Sequence, residues 1–145
     1  MAITTRYQMI LTKLLNRIAV IEIHGDDSRD VSALVFDSRK ITANSLYIAI
    51  KGTVADGHTF ITSAIEKGAT AIVCEDLPLD LVENITYIKV KNASKTLGHL
   101  ASNFYGNPSH QLKLIGVTGT NGKTSVSTLL FDVFKNLGYD SVLLS

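Results

Sequence analysis

Lys123 stands in the segment of this chain most able to do chemistry. It belongs to Thr118-Gly119-Thr120-Asn121-Gly122-Lys123-Thr124-Ser125, which follows the apolar run 114–117 and leads directly into residues of helical periodicity. A strand, a glycine-rich turn, Gly-Lys-Thr and a helix form the context of a phosphate-binding loop. Gly119 and Gly122 let the backbone curl so that successive N–H groups converge on phosphate oxygens. The helix N-terminus adds the positive end of its dipole. Lys123 is placed to neutralise β- and γ-phosphates, Thr124 to coordinate Mg²⁺ through its hydroxyl, and Ser125 to meet an α-phosphate. The generic pattern asks for glycine at position 117, where this chain has Val117. A glycine-rich turn that holds no ligand is therefore the alternative, and Lys123 argues against it, because a lysine projecting from a tight turn has no packing role.

The other reactive residue types are scattered. The four histidines, at 24, 58, 99 and 110, have no metal-ligand spacing. The single cysteine, Cys74, can form neither an internal disulfide nor a cysteine-rich zinc site, and its apolar neighbours mark it as an inert core thiol. Asp37-Ser38-Arg39 follows an apolar run and reads as a turn capped by Asp37 or Ser38, with Arg39 paired to a carboxylate. Asp56-Gly57-His58 reads as a helix start with Asp56 as cap. Asn84-Ile85-Thr86 is a chance glycosylation sequon, and Lys91 and Lys95 belong to a solvated face. Fourteen Lys and Arg against thirteen Asp and Glu leave a net charge of +1. That balance speaks against nucleic acid or an anionic membrane as partner. No apolar run approaches the ~18–20 residues of a membrane span, and the polar interruptions of the first residues are unlike a signal peptide. The expected compartment is the cytoplasm.

These residues need a frame. At 145 residues, 46% hydrophobic and 19% charged, the chain is long enough for a packed core. Four stretches have helical spacing. The first is Tyr7, Ile10, Leu11, Leu14, Leu15 and Ile18, with a capping box of Thr5 and Gln8. The second is Phe60, Ile61, Ala64 and Ile65, closed by Gly68. The third is Leu97, Leu100, Ala101, Phe104 and Tyr105, with Asn92 as N-cap and Gly106 and Pro108 as stops. The fourth is Val126, Leu129, Leu130, Val133, Phe134 and Leu137, closed by Gly138. Strands are expected at 20–23, 33–36, 45–50, 70–74, 85–90, 112–117 and 141–144. Alternating strands and helices give an α/β fold. The polar stretch 91–94 divides the chain into domains at 1–90 and 91–145.

Residues 116–124, Gly-Val-Thr-Gly-Thr-Asn-Gly-Lys-Thr, resemble the ATP-binding signature of the Mur ligases, the ATP-dependent amide-forming enzymes of peptidoglycan precursor synthesis. That family carries its glycine two positions later than the generic loop, which accounts for Val117. Upstream, residues 37–39, 45–52, 55–58 and 64–69 resemble the branch of the family that adds the third residue of the stem peptide, as do Asn103-Phe104-Tyr105 and Asn107-Pro108-Ser109. The resemblance runs from about residue 31 to the end. It implies a small N-terminal α/β domain, 1–90, that grips UDP-N-acetylmuramoyl-dipeptide (UDP-MurNAc-dipeptide), followed by the first βαβ unit of an ATP-binding domain. By the same resemblance, Phe36 and Ser38 contact the uridine, and Thr53, Val54 and Ala55 the uracil and pyrophosphate region. Many relatives carry His-Gln at the positions of Thr53 and Val54, so backbone contacts are expected there. Gly119, Thr120, Asn121, Gly122, Lys123, Thr124 and Ser125 are the implied ATP site, with Lys123 catalytic and Mg²⁺ held on Thr124 with ATP.

The implied reaction moves phosphate from ATP to a substrate carboxylate. The amino group of meso-diaminopimelate or L-lysine then attacks the acyl phosphate. The implied partners are these small molecules, with the protein a monomer. Because one βαβ unit cannot bury both faces of its strand pair, the segment 91–145 reads as the truncated start of a larger domain, and the 145-residue chain is expected to be inactive alone. Three alternatives remain. One is the sister ligase that adds D-Ala-D-Ala, against which Thr120-Asn121 weighs. The others are a non-catalytic UDP-sugar-binding module with a vestigial loop, and an unrelated phosphate-loop NTPase with a regulatory domain.

Overall fold

A computed structural model describes residues 8–53 and 55–144. The chain divides into two compact units, Met1–His110 and Gln111–Ser145.

The first unit is built on a five-stranded sheet. Its strands are β2 (Val20–His24), β4 (Ala33–Val35), β5 (Ser45–Ile48), β6 (Ala69–Cys74) and β7 (Thr86–Val90), in the order β2-β7-β6-β5-β4. The pairs β4–β5, β5–β6 and β6–β7 are parallel, and β2 joins β7 antiparallel at the edge. Side chains alternate across a strand, so an all-apolar strand feeds two cores. Leu46, Ile48, Ala71, Val73, Ile88 and Val90 point to one face. There they pack with Leu11 and Leu14 of α1 (Leu11–Leu14) and Leu100 and Phe104 of α3 (Ala93–Phe104). Tyr47, Ala49, Ile72, Cys74 and Tyr87 point to the other, against Ile61 and Ala64 of α2 (Ile61–Glu66). Each fully buried Leu or Ile contributes on the order of 1.5–3 kcal/mol.

The expected boundary at 91–94 is not where the units part. Those residues open α3, whose side chains Ala93, Leu100 and Phe104 complete the first core, so α3 stays with the sheet. Asn92 caps it as expected, accepting from the Lys95 N–H at 2.7 Å. The expected first helix shortens to the single turn α1. Met9 and Ile10 instead form β1 (Met9–Ile10), antiparallel to β3 (Asp30–Val31). The N–H groups of Leu11 and Thr12 donate to Arg29 and Asp27 carbonyls, and Arg17, at φ 60°, turns the chain away. Thr5 and Tyr7, part of that expected helix, lie outside the described residues.

Cys74 is buried, and burial pushes its thiol up to about 11. At pH 8 only roughly a thousandth of it is thiolate, the species that reacts. Iodoacetamide should label Cys74 at least about a hundredfold faster in urea than in the folded chain; equal rates in the two would show the core to be open.

In the second unit, α4 (Lys123–Asn136) forms as its periodicity predicts. Gly138, φ 85°, follows its C-cap Leu137, and Tyr139 stands edge-on to Phe134 at 5.7 Å. Among the described residues, 112–117 and 141–144 form no strand, so the expected βαβ unit is reduced to its helix. A strand exists only through a neighbour's hydrogen bonds, and neither segment pairs with one. Val126, Leu129 and Val133 of α4, and Leu137 at its C-cap, accordingly stay exposed.

Candidate functional site

Parallel strands send their carboxyl ends to one edge, and open α/β sheets bind ligands there. Phe36 leaves β4 at that edge and is 63% exposed. Asp37 folds back on the next turn. Its Oδ1 accepts from the Arg39 N–H at 3.1 Å and from Nε at 2.9 Å, and its Oδ2 accepts from a terminal guanidinium nitrogen at 2.8 Å. The Arg39 guanidinium thereby holds the Asp37 carboxyl well below the usual carboxylate range. From α2's carboxyl end Lys67 Nζ donates to the Ser38 carbonyl at 3.0 Å. The turn that offers Phe36 and Ser38 is therefore held from both sides.

The second candidate turn leaves the adjacent strand β5. The Gly52 N–H donates to the Ala55 carbonyl at 3.0 Å, and the Gly57 N–H to the Ile50 carbonyl at 2.8 Å. Thr53 and Ala55 are exposed between these bonds; Val54 lies outside the described residues. Asp56 caps the 3₁₀ turn Gly57–Phe60 that leads into α2, accepting from the His58 N–H at 2.9 Å. That bond, with a second from the His58 ring, lowers the Asp56 carboxyl. The Tyr47 hydroxyl donates to the Gly57 carbonyl at 3.0 Å.

Beyond the end of β6, Asp76 pairs with Lys51 at 2.6 Å, and Glu75 lies 3.8 Å from the same ammonium. The Lys51 ammonium lowers the Asp76 carboxyl, and Asp76 raises Lys51 in turn. A Glu75 oxygen also accepts from the Ala93 N–H at 2.9 Å, tying α3 to this edge. Next to the network lies a cavity of about 340 Å³ bounded by Asp56, His58, Asp76, Asp80 and Tyr87. Lys51 and Lys67 fall inside the resembling segments 45–52 and 64–69, but the resemblance implies no role for them there, and Glu75 and Asp76 fall in no motif. The sequence signal for the last two was their place directly after an apolar strand.

In the second unit, Gly122 caps α4 at φ 75°, a conformation that favours glycine, and no side chain caps the helix. The first helical bond runs from the Val126 N–H to the Gly122 carbonyl, so the N–H groups of Lys123, Thr124 and Ser125 have no partner in the helix. Lys123 Nζ folds over the loop onto the Gly119 carbonyl at 2.7 Å. The hydroxyls of Thr124 and Ser125 bond nothing among the described residues, whereas Ser127 and Thr128 hydroxyls both donate to the Thr124 carbonyl. Uncapped N–H groups, a lysine ammonium folded over the loop and two hydroxyls without a bond among the described residues, all at one helix start, fit a phosphate chain and the Mg²⁺ that accompanies it.

Among the described residues no group of three or more His, Cys, Asp or Glu could hold a metal by itself, and no helix is long and apolar enough to cross a membrane.

A sequence profile of the Mur ligase family, catalytic domain, matches residues 30–105. The UDP-N-acetylmuramoyl-L-alanyl-D-glutamate--2,6-diaminopimelate ligase of Phocaeicola vulgatus is 50% identical over 137 residues, 94% of this chain and 28% of the relative. The ligase of the same name from Cytophaga hutchinsonii is 49% identical over 138 residues. The chain thus spans little more than a quarter of the length of these relatives. Among solved structures, the UDP-N-acetylmuramoylalanyl-D-glutamyl-2,6-diaminopimelate--D-alanyl-D-alanyl ligase of Acinetobacter baumannii superposes with a TM-score of 0.63. At 22% identity it covers 94% of this chain and 30% of its own; that likeness speaks for the fold. The profile covers more than half of the chain, through four of the five strands of the sheet, the two candidate turns and α3, and on that match the chain belongs to the Mur ligase family.

Proposed function

We propose that this chain is the nucleotide-sugar-gripping and ATP-loop part of a ligase that adds a diamino acid to UDP-N-acetylmuramoyl-L-alanyl-D-glutamate. The observation that carries the reading is identity of about one residue in two, across both units, to ligases of that name. The D-Ala-D-Ala-adding ligase of Acinetobacter baumannii, at 22% identity, supports the fold and not that alternative.

In this reading the turns after β4 and β5 hold the UDP end, with Phe36 offering a ring face, Ser38 a hydroxyl, and Thr53, Val54 and Ala55 their backbone. The acceptor carboxylate attacks the γ-phosphorus of ATP and ADP leaves. The amine then attacks the acyl carbon, phosphate leaves, and the amine gives up a proton. The loop Gly119, Thr120, Asn121, Gly122, Lys123, Thr124 and Ser125 orients the phosphates, and Lys123 meets the charge that builds as the phosphoryl group moves. Mg²⁺, when bound, supplies charge neutralisation on the phosphate oxygens, and the Thr124 hydroxyl is the side chain that would hold it. The reading also entails small-molecule partners only, a monomer, and a cytoplasmic compartment.

Titrating the ¹⁵N-labelled chain with UDP-MurNAc-dipeptide should shift Phe36, Ser38, Thr53 and Ala55, and MgATP should shift residues 119–125. Shifts from the nucleotide sugar confined to residues beyond 111 would overturn the assignment of the first unit. The same titration with UDP alone separates a uridine site from a site for the peptide end.

A further inference from the structure

We infer that His58 is a positioning residue that clips the turn carrying Thr53 and Ala55 to the end of β6, so that its ring sets affinity for the nucleotide sugar without touching it. The inference rests on the functional reading of that turn given above.

The ring sits between two elements and bonds both. Nδ1 is 2.6 Å from Asp56 Oδ1, and Nε2 accepts from the backbone N–H of Glu75 at 3.0 Å. The Asp76 N–H also points at Nε2, at 3.4 Å. A backbone N–H can only donate, so Nε2 carries a lone pair and the ring proton is on Nδ1, where it is donated to Asp56. The ring is thus a two-ended strut in one tautomer, with its side chain only 14% exposed. Asp56 is also where the turn is fastened to itself, through the Lys51–Asp56 bridge and the Gly57–Ile50 hydrogen bond. A cap alone would need only the Asp56 carboxylate and the His58 N–H. The reach of Nε2 to a strand end seventeen residues away in sequence is extra, and it joins the candidate turn to the rigid centre of the sheet.

The two ends of the strut can be cut separately. His58→Asn keeps a donor for Asp56 and has no group that reaches Glu75. His58→Gln carries an amide oxygen at the distance of Nε2 and can still accept from Glu75. Binding of UDP-MurNAc-dipeptide by calorimetry is expected to weaken roughly tenfold in His58→Asn, the size of one unmade buried bond. His58→Gln should recover most of that loss, and MgATP affinity should not move in either. Ring ¹⁵N shifts of the unaltered chain should report a protonated Nδ1 and a bare Nε2, a reading that needs no variant to fold. Equal affinity in the unaltered chain and both variants, each with a native-like amide spectrum, would overturn the inference, as would a ring protonated at Nε2. If the unaltered chain binds no nucleotide sugar, the functional reading fails instead. The strut is then decided by hydrogen exchange at the Gly57 and Glu75 amides, which should quicken at least about tenfold in His58→Asn; unchanged exchange would overturn it.

Discussion

Replacing Lys123 by alanine, in the complete ligase to which we assign this segment, should lower kcat by on the order of 10²–10³, about 3–4 kcal/mol of transition-state stabilisation. The loop N–H groups and the helix dipole survive the substitution, so ATP should still bind. What goes is the lysine ammonium over the loop, which rests on the Gly119 carbonyl at 2.7 Å and in this reading turns to the phosphates when they bind. Lys123→Arg should rescue poorly, because a planar fork does not replace a compact ammonium in a tight turn. Ser125→Ala removes a neutral hydroxyl contact and should cost roughly 0.5–1.5 kcal/mol. Steady-state kcat and KM for ATP in the three variants check the ranking. A near-normal kcat in Lys123→Ala beside a collapse in Ser125→Ala would reverse the roles assigned to these residues.

The same substitution, glycine to alanine, should have opposite signs at two other positions. A Cβ on Gly57 would stand 2.7 Å from the Ile50 nitrogen and 2.8 Å from its carbonyl oxygen. Both are backbone atoms and cannot swing aside. Gly57 is also the hub of its turn, donating to Ile50 and accepting from Tyr47. Gly57→Ala should therefore destabilise by about 2–3 kcal/mol, the upper part of the overpacking range, and lower Tm by roughly 10–20 °C. In the middle of α3, a Cβ on Gly98 meets nothing within 4 Å. Gly98→Ala should stabilise by about 0.5–1 kcal/mol, because alanine loses less backbone freedom in a helix. Thermal unfolding followed by circular dichroism tests both. A neutral Gly57→Ala would mean that the turn between β5 and α2 gives way easily.

What the sequence made legible follows from how local each determinant is. The helices α3 and α4 carry their stop and start signals within a few residues of themselves. Asn92 is a cap that bonds its own first turn, and Gly138 closes α4 in the backbone conformation it favours. The inner strands β5, β6 and β7 were readable because burial on both faces leaves apolar runs, whereas the edge strand β2, largely exposed, showed only as a short β-rich run. The first helix was misread because its spacing suits a strand followed by one turn equally well. The choice was made by carbonyls of Asp27 and Arg29, which take the N–H groups a longer helix would have used. The strands expected at 112–117 and 141–144 failed for the complementary reason, since β structure is a property of pairs. At the candidate site, the turns with Phe36, Ser38, Thr53 and Ala55 were found through family resemblance. Their supports were not. Lys67 reaches Ser38, and His58 reaches Glu75, across distances in sequence that no local pattern encodes. Their charge and polarity were visible, but their partners were set by the fold.

The antiparallel edge also dictates an order of events during synthesis. Val20 finds its partner only in Val90, whereas β5 and β6 are separated by one short helix and can pair early. As the chain leaves the ribosome, β4, β5 and β6 can assemble while β2 has nothing to hold. It must wait until residues 86–90 emerge, and Leu11 and Leu14 stay uncovered until α3 brings Leu100 and Phe104. Closing so long a loop late is entropically slow, so Leu11 and Leu14 are among the last members of the first core to be covered.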